Sequence, residues 1–426
     1  MRHAYPKDLA SFARTEWGKG SLPALKHLES LLSTCYHASL LREESRPTRF
    51  RLIVCNPDDL PSADGPPNGL HRLIFTRPRR MNQDELRRLS PATDFYHCLI
   101  GVRLNDEKAW EIWGITHSGS RWAEVIQGSV RPASELPDAP VIHVSGPSQL
   151  TFCRGSKIVA TLQGGRLATP IADVLDSEWV TRLFAEVRTD LVQLHDNARE
   201  NAIQRWATLD DTLVNYLICS SMRRMISVMR QVSNGSSILF VPNERAEEFS
   251  SDNEFINFKY RFTAAAPRRR FKAILLNVLN KLAEYYSSSE DSITQREYID
   301  CSQIGEFQEM DEALSELNHL IASLTAIDGA VVLSRSFEIL GFGAEIKGEL
   351  ADVKRVGRAL DVEGDDIEIE ATESQGMRHR SVYRICNAVT SIMGLVISHD
   401  GEVRFVKHRD GRVTYWNQLG IPSLGV

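Results

Sequence analysis

Two short strings in the C-terminal part of this 426-residue chain carry groups suited to phosphate chemistry, Asp328-Gly329-Ala330 and Gly376-Met377-Arg378-His379-Arg380. The first follows a helical run, Met310 to Ile327, and opens the apolar stretch Ala330-Val331-Val332-Leu333. The β-branched residues and brevity of that stretch predict a buried strand. Asp328 then sits at a strand edge, where a carboxylate can serve a metal cation or a hydroxyl. The second string closes a polar loop and opens a predicted helix, with Val382, Ile385, Cys386, Val389, Ile392 and Met393 at helical spacing. A helix N-terminus presents unpaired N–H groups and a partial positive charge, which suit a phosphate. Arg378 and Arg380 add charge-assisted forks, Gly376 lets the backbone approach an anion, and His379 can donate to a phosphate oxygen or orient its neighbours.

The elements that must position these groups are also readable. From about Arg205 onward the pattern predicts helices near Asp210 to Val232, Phe271 to Tyr286, Met310 to Ile327 and His379 to Met393. Before them, Ile171 to Ile203 reads as a helical stretch, with Val174, Trp179, Leu183, Val187 and Leu191 apolar and Asp176 and Ser177 as an N-terminal cap. Such a stretch can bridge domains or dimerise. The N-terminal part predicts an amphipathic helix from Leu22 to Leu41. Strand-like runs follow at Phe50 to Cys55, Leu73 to Thr76, Cys98 to Leu104, Trp110 to Ile115, Val141 to Val144 and Ile158 to Leu162. The expected fold class is therefore α/β (α+β). It comprises a mixed N-terminal domain over 1–170, a helical linker over 171–204, and a C-terminal domain over 205–426 with a mixed central sheet flanked by helices.

In their order and with their flanking segments, the two strings resemble the signature of the diadenylate cyclase domain, which shows Asp-Gly-Ala and then Gly-Thr-Arg-His-Arg. Met222 to Val241 is similar to that family's first helix, glycine turn and opening strand. Ser334 to Ile346 resembles its hairpin, and Gly394 to Val406 its strand pair after the Arg-His-Arg helix. The likeness spans roughly 205–418. It implies that two ATP molecules are joined into cyclic di-AMP by two domains facing each other, hence a homo-oligomer, with magnesium or manganese as cofactor. Asp328 would assist the 3′-hydroxyl and the metal, and Gly329 would keep the strand edge open. Ala330, Gly376, Met377, Arg378, His379 and Arg380 would hold the nucleotide. The same resemblance makes the N-terminal domain a probable sensor. Two positions depart from the family: Met377 replaces its Thr, and His399 stands where a metal-holding Glu is common. His399 is nevertheless a metal-ligand candidate, and the departures leave open a second reading, a degenerate protein that binds ATP or a cyclic dinucleotide without making one.

Composition bounds the alternatives. A hydrophobic content of 42% is ordinary for a globular protein. No run approaches the roughly 18 apolar residues of a membrane span, and the start, MRHAYPKDLASFARTEW, has no signal-peptide core, which predicts a cytoplasmic protein. Seven scattered cysteines without a CxxC pair predict reduced thiols. A net charge of −6 argues against nucleic acid as a partner. The basic runs Arg77 to Arg80 and Arg268 to Lys272 read as solvated faces, and His97, Cys98 and His143 as core or edge residues without a metal partner. Trp110, Trp113 and Trp122 are candidates to line a ligand pocket, with core packing as the default.

Overall fold

The computed structural model describes residues 3–18, 22–61, 64–66, 69–122, 136–168, 173–231, 235–287, 292–302, 304–399 and 401–417. They divide into two compact units, one holding the described residues up to 168 and the other those from 173 onward.

In the first unit a small pair, β1 (Arg42–Glu43) and β2 (Arg46–Pro47), stands apart from one main sheet. That sheet is built from β3 (Phe50–Val54), β4 (His71–Arg80), β5 (Cys98–Leu104), β6 (Trp110–His117), β7 (Pro140–Gly146), β8 (Gln149–Arg154), β9 (Lys157–Gln163) and β10 (Arg166–Ala168), in the order β10-β9-β8-β7-β3-β5-β6-β4. Only β3 and β5 pair in parallel; the remaining neighbours are antiparallel. Side chains alternate between the faces of a strand. Phe50, Leu52, Ile100, Ile142 and Val144 pack with helices Pro6–Glu16 and Leu25–Ser39, whereas Ile53, Leu99, Trp113, Val141 and Cys153 form a second core on the opposite face. Burial on both faces explains why these strands read as short continuous apolar runs. The expected helix and strand-like runs all fall on such elements. Pro6–Glu16 and β8 were not anticipated: the helix buries Pro6, Leu9, Ala10 and Ala13, mostly small residues that give a weak apolar signal, and β8 buries the polar Thr151 between Leu150 and Phe152.

The second unit is organised around β11 (Ser236–Val241), β12 (Ile256–Arg261), β13 (Ala330–Ser334), β14 (Ile339–Ile346), β15 (Arg355–Ala359), β16 (Ile367–Ala371), β17 (Met393–Ile397), β18 (Val403–Arg409) and β19 (Arg412–Asn417). They form one mixed sheet, β12-β14-β13-β11-β17-β18-β19-β15-β16, with β11/β13 and β15/β19 parallel. Leu239, Val241 and Val332 face one core with Val382, Ile385 and Cys386 of helix Met377–Ala388. Phe240 faces the other way, towards Phe184 and Phe337. Helices therefore flank the sheet, and the α/β class holds.

Two details differ from the reading of the sequence. Helix Met377–Ala388 stops short of the expected Met393, since Val389 leaves helical geometry at φ −123° and Met393 already begins β17. The stretch expected to bridge domains is a short turn plus helices Glu178–Leu183 and Ala185–Glu200, which pack within the second unit. There Ser177 caps the first helix by accepting the Val180 N–H at 3.2 Å, and the Trp179 ring lies 4.6 Å from that of Trp416. The basic run is largely exposed, as a solvated face should be, with Arg269 and Arg270 open to solvent; on that surface Arg268 and Arg269 both reach Glu338 at 3.0 Å, and Lys272 pairs with Asp190.

Candidate functional site

At one end of the second unit's sheet, β11 and β13 enter while their antiparallel neighbours β17 and β14 leave. The strand ends and the N-terminus of helix Met377–Ala388 enclose a cleft of about 870 Å³. Its wall includes Asp328, Gly329 and Ala330 at the start of β13, Gly376, Met377, Arg378 and His379 at the helix start, and His399 after β17. Two strings distant in sequence thus meet in one cavity. Arg380 does not line it. At about 100° per residue, position 380 lies roughly 200° around the helix from Arg378, on the side turned from the cleft.

Gly329 has φ +119°, and a Cβ there would fall 2.5 Å from the backbone of Gly343. A side chain is excluded by both conformation and space, so the entry to β13 stays bare where the cleft begins. Gly235, in the turn before β11, has φ +71°, and a Cβ would meet Arg378 Nη1 at 2.7 Å. The turn is thus the floor against which the Arg378 guanidinium rests.

Asp328 is 85% exposed and stands between two cations, Arg378 Nη2 at 3.7 Å and Lys259 Nζ at 3.9 Å. These separations in water amount to weak pairs, so the carboxylate is available to a ligand. Lys259 also donates to the Asp328 main-chain carbonyl at 2.8 Å, which fixes the ammonium at the cleft mouth. Gly376 caps the helix without a side-chain acceptor, leaving the N–H groups of the first turn directed at the cavity. His379 is buried in the wall, with its ring 6.4 Å from that of Tyr383. Met377 is 77% exposed and offers no hydroxyl.

The wall behind is held by Arg404 of β18, which donates to Gln375 Oε1 at 2.6 Å, Tyr383 Oη at 3.0 Å and Glu402 Oε2 at 2.8 Å, with its guanidinium 4.4 Å from the Tyr415 ring. Burial opposes the charge on Arg404, but Glu402 and the two tyrosines outweigh it and hold the group above its ordinary range. Lys259, Glu345, Gln375, Glu402 and Arg404 also line the cleft, yet sequence reasoning passed over them. Lys259 lies on the edge strand β12, a segment for which the sequence reading gave no element. Arg404, a lone cation in the apolar run Val403-Arg404-Phe405-Val406, was the one signal open to notice. Among the described residues, no three His, Cys, Asp or Glu side chains are gathered to hold a metal ion.

Fold and site together define an α/β protein whose second unit carries an anion-suited cleft at the ends of a mixed sheet. In the first unit, residues 18–117 match a family model described as a probable sensor domain, DACNV. The N-terminal part therefore carries that domain, and its sheet continues beyond the match through β7 to β10. Neither the curated proteins nor the solved structures contain a match to the chain. Among the described residues no helix is long and apolar enough to cross a membrane.

Proposed function

We propose that the second unit is a diadenylate cyclase-like nucleotidyltransferase, condensing two ATP into cyclic di-AMP and pyrophosphate under regulation by the N-terminal sensor domain. The observation that carries this reading is the meeting in one cleft of Asp328, Arg378 and His379, residues of the two strings on which the sequence resemblance rests. Each 3′-hydroxyl attacks the α-phosphorus of the ATP held by a facing copy. A 3′-O–Pα bond forms, the bond from Pα to the bridging oxygen breaks, and pyrophosphate departs. Two such steps close the ring, so the reading requires a homo-oligomer.

Within that scheme Asp328 orients the 3′-hydroxyl and accepts its proton for transfer to water, while Arg378, Lys259 and the helix N-terminus bind and orient the phosphates. Arg380, turned from the cleft, is left to support the helix. Asp328 and His399 are the residues that would hold magnesium or manganese, which when bound neutralises phosphate charge. One or two protein donors suit an ion that arrives with a triphosphate, so the absence of a three-donor cage among the described residues fits that role. A second reading, nucleotide binding without turnover, is favoured by the missing hydroxyl at Met377 and the missing carboxylate at His399. Incubation of the full chain with ATP and manganese, followed by mass identification of products, decides between them. Cyclic di-AMP supports the enzyme; ATP binding without product supports the degenerate protein.

A further inference from the structure

The first unit buries a positive charge that forms no ion pair with a carboxylate among the described residues, Asp94 acting on it only from a distance. Arg51 of β3 is 0% exposed, and its face of the sheet carries a row of cross-strand neighbours. Arg51 lies opposite His143 of β7, His143 opposite Thr151 of β8, and Thr151 opposite Thr161 of β9. A polar stripe thus crosses a sheet face that is otherwise apolar. Arg51 donates through Nη2 to Ser118 Oγ at 2.8 Å, and its guanidinium lies 3.8 Å from the Trp122 ring centre. Its Nε and Nη1 are buried with no hydrogen-bond partner, as is His143 Nδ1. Two residues earlier, hence on the same face of the extended chain, Arg49 sets its guanidinium 5.1 Å from the Phe95 ring and buries Nε and Nη2 equally unpartnered. Phe95, Trp122 and His143 form one aromatic cluster, with ring centroids 5.1–6.1 Å apart. Neither arginine pairs with a carboxylate among the described residues.

Buried polar groups are ordinarily satisfied, and an uncompensated buried charge is costly enough to require a reason. Hydrogen bonds from Nη2 to Ser118 Oγ and, at 3.4 Å, to the Tyr96 main-chain carbonyl, with stacking on Trp122, hold Arg51 in place without neutralising it. Burial pushes its pKa down to about 9, and burial with the neighbouring Arg51 pushes His143 down to about 3, so the imidazole is neutral and adds no repulsion. Two guanidiniums with four buried nitrogens that lack a partner, beside a neutral ring nitrogen, match a compact dianion with several acceptor oxygens. Arg49 is only half-buried, so the cluster reaches solvent along that side chain.

We propose that Arg49, Arg51 and His143 form the ligand site of the sensor domain and that its ligand presents a phosphate group, either as the free ion or as a small phosphate monoester. This rests on the sensor reading of the N-terminal unit and names the chemistry it senses.

The test is calorimetry and tryptophan fluorescence on the full chain, titrated with inorganic phosphate, glycerol 3-phosphate and, as the carboxylate control, succinate. An Arg378→Ala background removes the phosphate-binding arginine of the other unit. Saturable binding of phosphate or of the monoester is expected in that background, about tenfold weaker or lost in Arg51→Met and weakened in Arg49→Met. In Trp122→Phe the fluorescence response should vanish while calorimetric binding persists. Arg49→Met covers the case in which Arg51→Met does not fold. Binding of phosphate alone assigns the free ion, and binding of the ester alone assigns a phosphorylated metabolite. No saturable binding, binding of succinate only, or binding unchanged in both arginine variants would overturn the site. With Arg378 intact, phosphate or monoester at the concentrations that saturate the site should change the rate of cyclic di-AMP formation; a rate left unaltered would retain the site and remove the regulatory reading, so the two fail separately.

Discussion

Replacing Gly235 by Ala tests whether the turn before β11 acts on nucleotide through Arg378. Residue 235 has φ +71°, and the added methyl would stand 2.7 Å from Arg378 Nη1. The neighbour is the tip of a flexible side chain, so the arginine moves and the backbone does not. Left-handed geometry costs an L-residue roughly 1–2 kcal/mol, which sets the expected loss of stability. A displaced Arg378 forfeits a charge-assisted contact of about 1.5–3 kcal/mol with phosphate. Its side chain is 44% exposed, and screening places the expectation at the low end, an ATP affinity about tenfold weaker. Calorimetric titration of Gly235→Ala, Arg378→Ala and the double variant with ATP makes the measurement. Since both changes remove one contact, the double variant should bind no more weakly than Arg378→Ala alone. Losses that add, or wild-type affinity in Gly235→Ala, would refute the argument.

Three further outcomes are expected. Asp328→Asn should abolish cyclic di-AMP formation while leaving the melting curve unchanged, because the carboxylate is exposed; near wild-type turnover would reject its role. Gly329→Ala should destabilise the protein by about 2–5 kcal/mol in denaturant titration, since its Cβ meets backbone rather than a movable tip; a loss no larger than that of Gly235→Ala would contradict this. Turnover should favour manganese over magnesium, because imidazole suits the softer ion, and His399→Glu should raise the magnesium rate. Equal rates with both metals, unaltered by the substitution, would remove His399 from the metal's surroundings.

What could be read from the chain was what lies close along it. Asp328 followed by four apolar residues announces a strand edge, and the 3.6-residue spacing of Val382, Ile385, Cys386 and Val389 announces the helix above it. The end of that helix was misplaced because Ile392 and Met393 keep the period by chance while pairing demands, not periodicity, turn Met393 into β17. Lys259 was missed for a different reason: its place beside Asp328 depends on β12 pairing with β14, a contact set by tertiary register. Arg51 and His143 are a similar case, unremarkable apart and opposed only once β3 and β7 align. Arg380 shows the converse, a motif residue whose helical phase carries it from the cavity.

The charges on the cleft wall have a bearing on how a nucleotide is captured. Lys259, Arg378 and Arg404 contribute three cationic groups, and Asp328, Glu345 and Glu402 three carboxylates. Counted this way the formal charges cancel, and only the partial positive charge of the helix N-terminus is left to draw a polyanion from a distance. Encounter rates should accordingly vary little with ionic strength, in contrast to sites that steer their substrates electrostatically. Selection is left to short-range geometry, and the tetra-anion of ATP must bring its own counter-charge: a chelator added to the assay should weaken binding, not only turnover.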